Sequence, residues 1–397
     1  MAGQSPLNMM HRQRAAPRPA DRGRRRWPVL ALLVALVALA AGWSWLWYYS
    51  ASVADRTLAG WIQREATAGR IYSCGSQTIT GFPLRIKARC ADASGEIKNS
   101  EPPLAVRAKD ITFVAPFYHP TELTGEMTGP LMVAAPGQPT SFVANWSLAR
   151  LSVRGIPPEP DSVSVTLDHP RMDRTTGGND EVAFVADRAV LDGRVVGGTA
   201  RSNPVIDVTL RFTGVTAPTL HPSLAQPLQG EVEVVVRGFK DLLPKPWAER
   251  FREMQAAGGK IELKSLRLAR SDAVIIGTGS LTVNEHGRLD GLIPIAVAGL
   301  DRVVPLIGID QLIAQGLGRL GGSSGLSVQG ANSLERLLPG LGGAIRDTAN
   351  AMAIENLKKM GQPTTIENKP AILLPLRITD GSVYLGLVPL GQVQPLF

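Results

Sequence analysis

From Pro28 to Tyr49 the chain runs PVLALLVALVALAAGWSWLWYY, 22 residues without a charged side chain. At about 1.5 Å per residue a helix of this length crosses a hydrocarbon core of about 30 Å. The pattern then changes. Asp55 to Gly69 predicts an amphipathic helix with Asp55 as its cap, Leu58, Trp61 and Ile62 on one face, and Gly69 as its stop. Beyond it, alternating and β-branched runs predict strands at Ile111 to Val114, Val163 to Leu167, Val182 to Val190, Val205 to Phe212, Val232 to Val236, Ile261 to Leu268 and Val274 to Val283. Gly279-Ser280-Leu281-Thr282-Val283 followed by Gly287 to Gly291 reads as strand, turn, strand.

Three helical stretches interrupt the strands. Pro244 to Ala257 places Trp247, Phe251 and Met254 on one stripe, the spacing of a helix packed on a core. Asp301 to Leu320 is apolar on most sides, and Ala344 to Met360 carries Ile345, Ala349, Met352, Leu357 and Met360. Between them Gly316 to Gly325 predicts a hinge. The expected fold class is therefore mainly β with a few helices, a β-rich α+β chain in which an N-terminal transmembrane helix precedes an elongated antiparallel sheet. Its divisions are a basic tail at 1–26, an anchor at 27–49, an amphipathic helix at 50–70, a β-rich body at 71–300, a Gly-hinged helical segment at 301–362 and C-terminal strands at 363–397.

An internal echo runs through the body. Ala115-Pro116-Phe117-Tyr118-His119-Pro120 matches Ala217-Pro218-Thr219-Leu220-His221-Pro222 at four of six positions, and Gly125-Glu126 and Gly230-Glu231 follow. Each copy comes after a strand-like run and before another, which suggests two copies of one β unit.

Charge sets the topology. Of a net +8, the first 26 residues, with seven Arg and one Asp, carry +6, so the rest of the chain is nearly neutral. A nucleic-acid protein would spread its cations over the folded part, so no nucleic-acid partner is expected. Arg22, Arg24, Arg25 and Arg26 abut one end of the apolar run, and Trp43, Trp45, Trp47, Tyr48 and Tyr49 the other. That is a retained positive side and an interfacial aromatic belt, which predicts a single-pass inner-membrane protein with a cytoplasmic N-terminus and a periplasmic body. A cleaved signal is the rival reading, from Ala38-Leu39-Ala40 and the paired Arg. It would leave five aromatics at a mature N-terminus, so the anchor is the reading adopted.

The two cysteines, Cys74 and Cys90, bracket two β-prone runs around Gly81-Phe82-Pro83. In a hairpin turning at Phe82 they fall opposite one another, and outside the cytoplasm they are expected to form a disulfide. Trp61, Cys74, Gly81-Phe82-Pro83-Leu84-Arg85-Ile86 and Cys90, with Asp380 to Gly386 and Pro389-Leu390, resemble the bacterial domain-of-unknown-function family 2125. The resemblance covers nearly the whole chain after the anchor and implies a single-pass envelope protein, with no activity to carry over. Leu84 stands where an aromatic would be expected. The strand, turn, strand pattern at 279–291 also looks like the repeats of AsmA-type envelope proteins, a fold-level analogy that implies an apolar groove.

Motifs for chemistry fail on context. Gly316-Leu317-Gly318-Arg319-Leu320-Gly321 satisfies G-x-G-x-x-G but closes a helical run instead of opening one after a strand. Gly321-Gly322-Ser323-Ser324-Gly325 satisfies G-x-S-x-G, yet the last histidine, His286, lies upstream of it. His119, His169 and His221 each precede Pro, a turn-entry pattern. The expectation is accordingly a protein that is not an enzyme, with no cofactor and no metal. Its body binds or conducts an apolar ligand, foremost inner-membrane lipid, and Val303, Ile307, Leu312 and Leu317 serve as the ligand cover. The alternative is an envelope scaffold or assembly factor whose sheet edge pairs with other envelope proteins.

Overall fold

A computed structural model describes residues 27–301 and 354–397, apart from 68, 99–101, 120, 157, 158, 177, 178, 220, 221, 244, 356 and 387. The basic tail, the glycine hinge and the cover residues Val303, Ile307, Leu312 and Leu317 lie outside the described residues. Contacts divide the chain into a unit ending at Arg56 and a second beginning at Thr57.

Helix α1, Trp27–Thr67, is 41 residues long, and its most apolar window has a mean hydropathy of 2.3 and no buried residue. By length and composition it is able to cross a membrane. The anchor and the amphipathic helix expected as separate elements are thus one helix, and Asp55 lies in its interior instead of capping it. The reason is local: no Gly or Pro stands between Tyr49 and Asp55, and the Ser52 hydroxyl is satisfied by the Tyr49 carbonyl at 2.8 Å. Gly69, at φ 79°, then turns the chain.

The second unit is built on one antiparallel sheet. Its strands are β1 (Arg70–Ser73), β2 (Ser76–Thr80), β3 (Arg85–Ile97), β4 (Leu104–Pro116), β5 (Glu122–Ala134), β6 (Phe142–Asn145), β7 (Leu148–Arg154), β8 (Ser162–Asp168), β9 (Arg171–Thr176) and β10 (Asn179–Val185). They continue as β11 (Arg188–Thr199), β12 (Ser202–Val215), β13 (Leu228–Arg237), β14 (Lys260–Arg270), β15 (Ala273–Val283), β16 (Leu289–Ala298), β17 (Gln362–Ile366), β18 (Lys369–Thr379), β19 (Ser382–Leu385) and β20 (Val388–Gln392). The main ladder runs β3, β4, β5, β7, β8, β11 to β16 and β18; β6, β9 and β10 form a side branch from β5. The mainly β architecture expected from the alternation is present.

Two expectations are corrected in detail. The run Val182 to Val190 is split between β10 and β11, because Ala186 and Asp187 bond out to Pro170 and Thr213 instead of continuing one ladder. The hairpin of β2 and β3 turns later than Phe82, so that Gln77, not Cys74, is the ladder partner of Cys90. The disulfide forms nonetheless, with Cα atoms 5.4 Å apart. Cys74 sits in the break between β1 and β2, where Asp92 adopts φ 51° and the Gly75 amide reaches the carbonyls of both Ala91 and Asp92. The pairing of β1 and β2 with β3 is interrupted here without a change of register, and the bridge spans this gap.

Well-packed core lies toward the C-terminal strands. Ile293, Ile295, Val297, Leu300, Leu357, Leu374 and Leu385 form one buried cluster, and Ile354 packs against it. Helix α2, Trp247–Ala256, lays two of its three expected stripe residues, Met254 and Phe251, on a second cluster with Phe239, Val283 and Ile206, whereas Trp247, at the first position of the helix, is 68% exposed. Behind α2, Arg250 is buried, donates to the carbonyls of Asp241 and Leu243, and lies over the Phe239 ring.

Candidate functional site

Side chains alternate across a strand, so each ladder row places one residue per strand on the same face. One row passes from Ala88 on β3 to Phe113, Gly125, Leu151, Val165 and Leu191. It continues through Leu210, Val232, Leu266, Gly277, Ile295 and Leu374. Twelve strands contribute and none contributes a polar side chain. The neighbouring row, on the opposite face, reads Thr112, Glu126, Arg150, Thr166, Val190, Arg211, Glu231 and Arg267. Its charges pair across strands, Arg150 with Glu126 at 2.9 Å and Arg211 with Glu231 at 2.8 Å. One face of the sheet is apolar and the other is a mesh of ion pairs.

The apolar face is covered at both ends and open between. At the C-terminal end Leu374 is fully buried beneath Leu357. In the middle, Leu191 is 43% exposed and Leu210 36%, and Val163, on the same face, is 39% exposed. Uncovered aliphatics in a continuous row are uncommon on a soluble face.

At the N-terminal end the face enters a cavity of about 300 Å³. Its floor is Ala88, Cys90, Ala93 and Gly95 of β3, Val106, Ala108, Ile111 and Phe113 of β4, and Met127 and Leu131 of β5; Leu58, Trp61 and Ile62 of α1 line it as well. The small residues on β3 and Ala108 make the room. Tyr72 of β1 lies across Gly95, where a methyl group would come within 3.1 Å of its ring, and stacks on Trp61 at 5.2 Å between centroids. The Cys74–Cys90 bridge forms part of the wall. At the rim Arg89 pairs with Asp110, a hydrogen bond that raises its pKa further and keeps the guanidinium charged. The cavity is thus an apolar chamber with one neutralised ion pair at its edge.

The sequence placed Leu58, Trp61 and Ile62 on one face and paired the two cysteines, and the structure brings all five to this cavity. Tyr72, Ala108, Met127 and Leu131 were not singled out. The sequence mark of the cavity is instead the set of small residues Ala88, Cys90, Ala93 and Gly95 on β3. Among the described residues no group of three His, Cys, Asp or Glu is placed to hold a metal ion.

A family model described as "Uncharacterized protein conserved in bacteria (DUF2125)" matches residues 47–394. No curated protein matches the chain. The likeness to AsmA-type repeats rests on the sequence pattern alone.

Proposed function

The chain belongs to the DUF2125 family, and on that premise we propose that it is a single-pass inner-membrane protein whose periplasmic body holds the hydrocarbon chains of membrane lipid without catalysing a reaction. The observation that carries this reading is the unbroken apolar row, open at Leu191 and Leu210 and ending in the cavity of about 300 Å³ beneath α1. A sheet face that existed only to build a core would be covered along its length. Supporting it, the chain carries a helix apolar enough to cross a membrane, and a disulfide, which persists in an oxidising compartment such as the periplasm.

The test is capture of lipid by the full chain in its native membrane, with a photoactivatable residue in place of Leu191. Thr209, paired with Asp192 on the opposite face, serves as the reference position. Lipid adducts at 191 in clear excess over 209 are expected. Equal yields, or adducts at 191 that are only protein, would overturn the reading; the protein adducts would favour a scaffold instead.

A further inference from the structure

Five successive connections lie at one end of the main ladder, joined by a chain of backbone hydrogen bonds. The Phe117 amide donates to Leu84 at 3.0 Å, Gly155 to Thr121 at 3.0 Å, Val195 to Asp161 at 2.8 Å and Leu242 to Ala200 at 2.7 Å. The turn after β2, the turn after β4, the loop after β7, the end of β11 and the loop before α2 therefore form one continuous fringe. Each contributes a large apolar side chain turned to solvent: Leu84, Tyr118, Ile156, Val196, and Leu243 with Trp247. Their exposure runs from 39% at Ile156 to 71% at Tyr118. At the opposite ends of these strands, among the described residues, only Ile71 and Met132 are comparably exposed. Loop tips are ordinarily polar, so a fringe of this composition confined to one end needs an apolar surface to meet.

The direction of the chain identifies that surface. Within the second unit the last turns of α1 run antiparallel to β1: Glu65 pairs with Arg70, Trp61 stacks on Tyr72, and Leu58 shares a cavity wall with Cys74 and Gln77. β1 and β2 lead in turn to Leu84. Within this unit the last turns of α1 thus run from the end that bears the fringe toward the other, and the membrane-crossing stretch precedes them in the sequence. Tyr and Trp mixed with aliphatics, flanked by the exposed guanidinium of Arg154, have the composition of an interfacial belt. We infer that the strand-end fringe is a lipid-contact surface that seats the body on the bilayer to which it is tethered.

A photoactivatable residue placed at Leu84 or Tyr118 of the full chain, in vesicles of phosphatidylethanolamine and phosphatidylglycerol, tests this. Met132, at the far end of β5 and 40% exposed, is the reference. Lipid adducts at 84 and 118 several-fold above those at 132 are expected. An intact Cys74–Cys90 bridge in the irradiated sample shows that the variants fold. Yields no higher than at 132, or adducts at 84 and 118 made chiefly to a second copy of the chain, would overturn the inference. The result is separable from the ligand reading: a bulky residue at Ala108, which fills the cavity, should leave capture at 84 and 118 unchanged.

Discussion

Phe212 on β12 lies across Gly230 on β13, so closely that a methyl group at Gly230 would stand 2.5 Å from the Phe212 ring and 2.7 Å from Leu268. Phe113 lies across Gly125 in the same way, at 2.9 Å, with Leu151 on its far side. In both places the residue after the glycine is a glutamate facing an arginine that stands next to the leucine: Glu126 with Arg150, Glu231 with Arg267. The Gly-Glu echo in the sequence is thus two copies of one three-strand arrangement, an aromatic over a bare strand flanked by a leucine. Each ring fills the space that the glycine leaves on the apolar face.

Gly230→Ala should therefore destabilise the sheet, because the added methyl meets two packed side chains and neither has room to move. Overpacking of this kind costs about 1–3 kcal/mol. Thermal unfolding of the variant checks it, with Gly193→Ala, whose Cβ would meet only the Val163 carbonyl oxygen at 3.9 Å, as the comparison. If the two variants were equally stable, the close approach of Phe212 would not matter.

Replacing Cys74 and Cys90 together with Ser should lower stability by about 3 kcal/mol, the loop-closure value for a ring of this size. The bridge also forms cavity wall. Denaturant unfolding with and without reductant measures the effect. A wild-type curve unmoved by reductant would count against it.

Arg250 should resist every substitution. Arg250→Met leaves the carbonyls of Asp241 and Leu243 without their donor and removes the stack on Phe239, at a cost of about 2–3 kcal/mol. Arg250→Lys should recover little, since an ammonium cannot reproduce the planar fork or the stack. Loss of α2 packing is readable by hydrogen exchange at Met254.

The same network predicts a pH dependence at both extremes. Burial pushes the Asp241 carboxyl up, but the Lys245 ammonium and the Leu243 amide outweigh it and hold its pKa below the ordinary 3.8. A depressed carboxylate contributes stability that is present above its unfolded pKa and is lost as pH falls through the folded value. Lys245, raised above 10.5 chiefly by its hydrogen bond to Glu253, contributes below its unfolded pKa and is lost as pH rises through the folded one. Asp241→Asn should flatten the acid limb of a stability–pH curve and leave the alkaline limb largely in place. An unchanged acid limb would assign that loss to other carboxylates, such as Glu262 or Glu367, which are also held low by cationic neighbours.

What the sequence determined by itself is periodic and local. The uncharged run opening α1, the period-two strands, the stripe on α2 and the cysteine pair are each written within a few neighbouring residues, because helix and strand geometry repeat over distances of one or two turns. The tertiary structure decided what depends on register. Whether Leu191 stands beside Leu210 and Val165, so that separate strands add up to one apolar face, follows from ladder pairings between residues far apart in the chain. The gap between β1 and β2 opposite Asp92, where Cys74 meets Cys90 although Gln77 is the ladder partner, has the same origin. A shift of one residue in any pairing would turn a strand's aliphatics to the ion-pair face. The sequence specifies each strand's two faces, but only the assembled sheet specifies which faces meet, and that alignment creates both the cavity under α1 and the exposed apolar row leading to it.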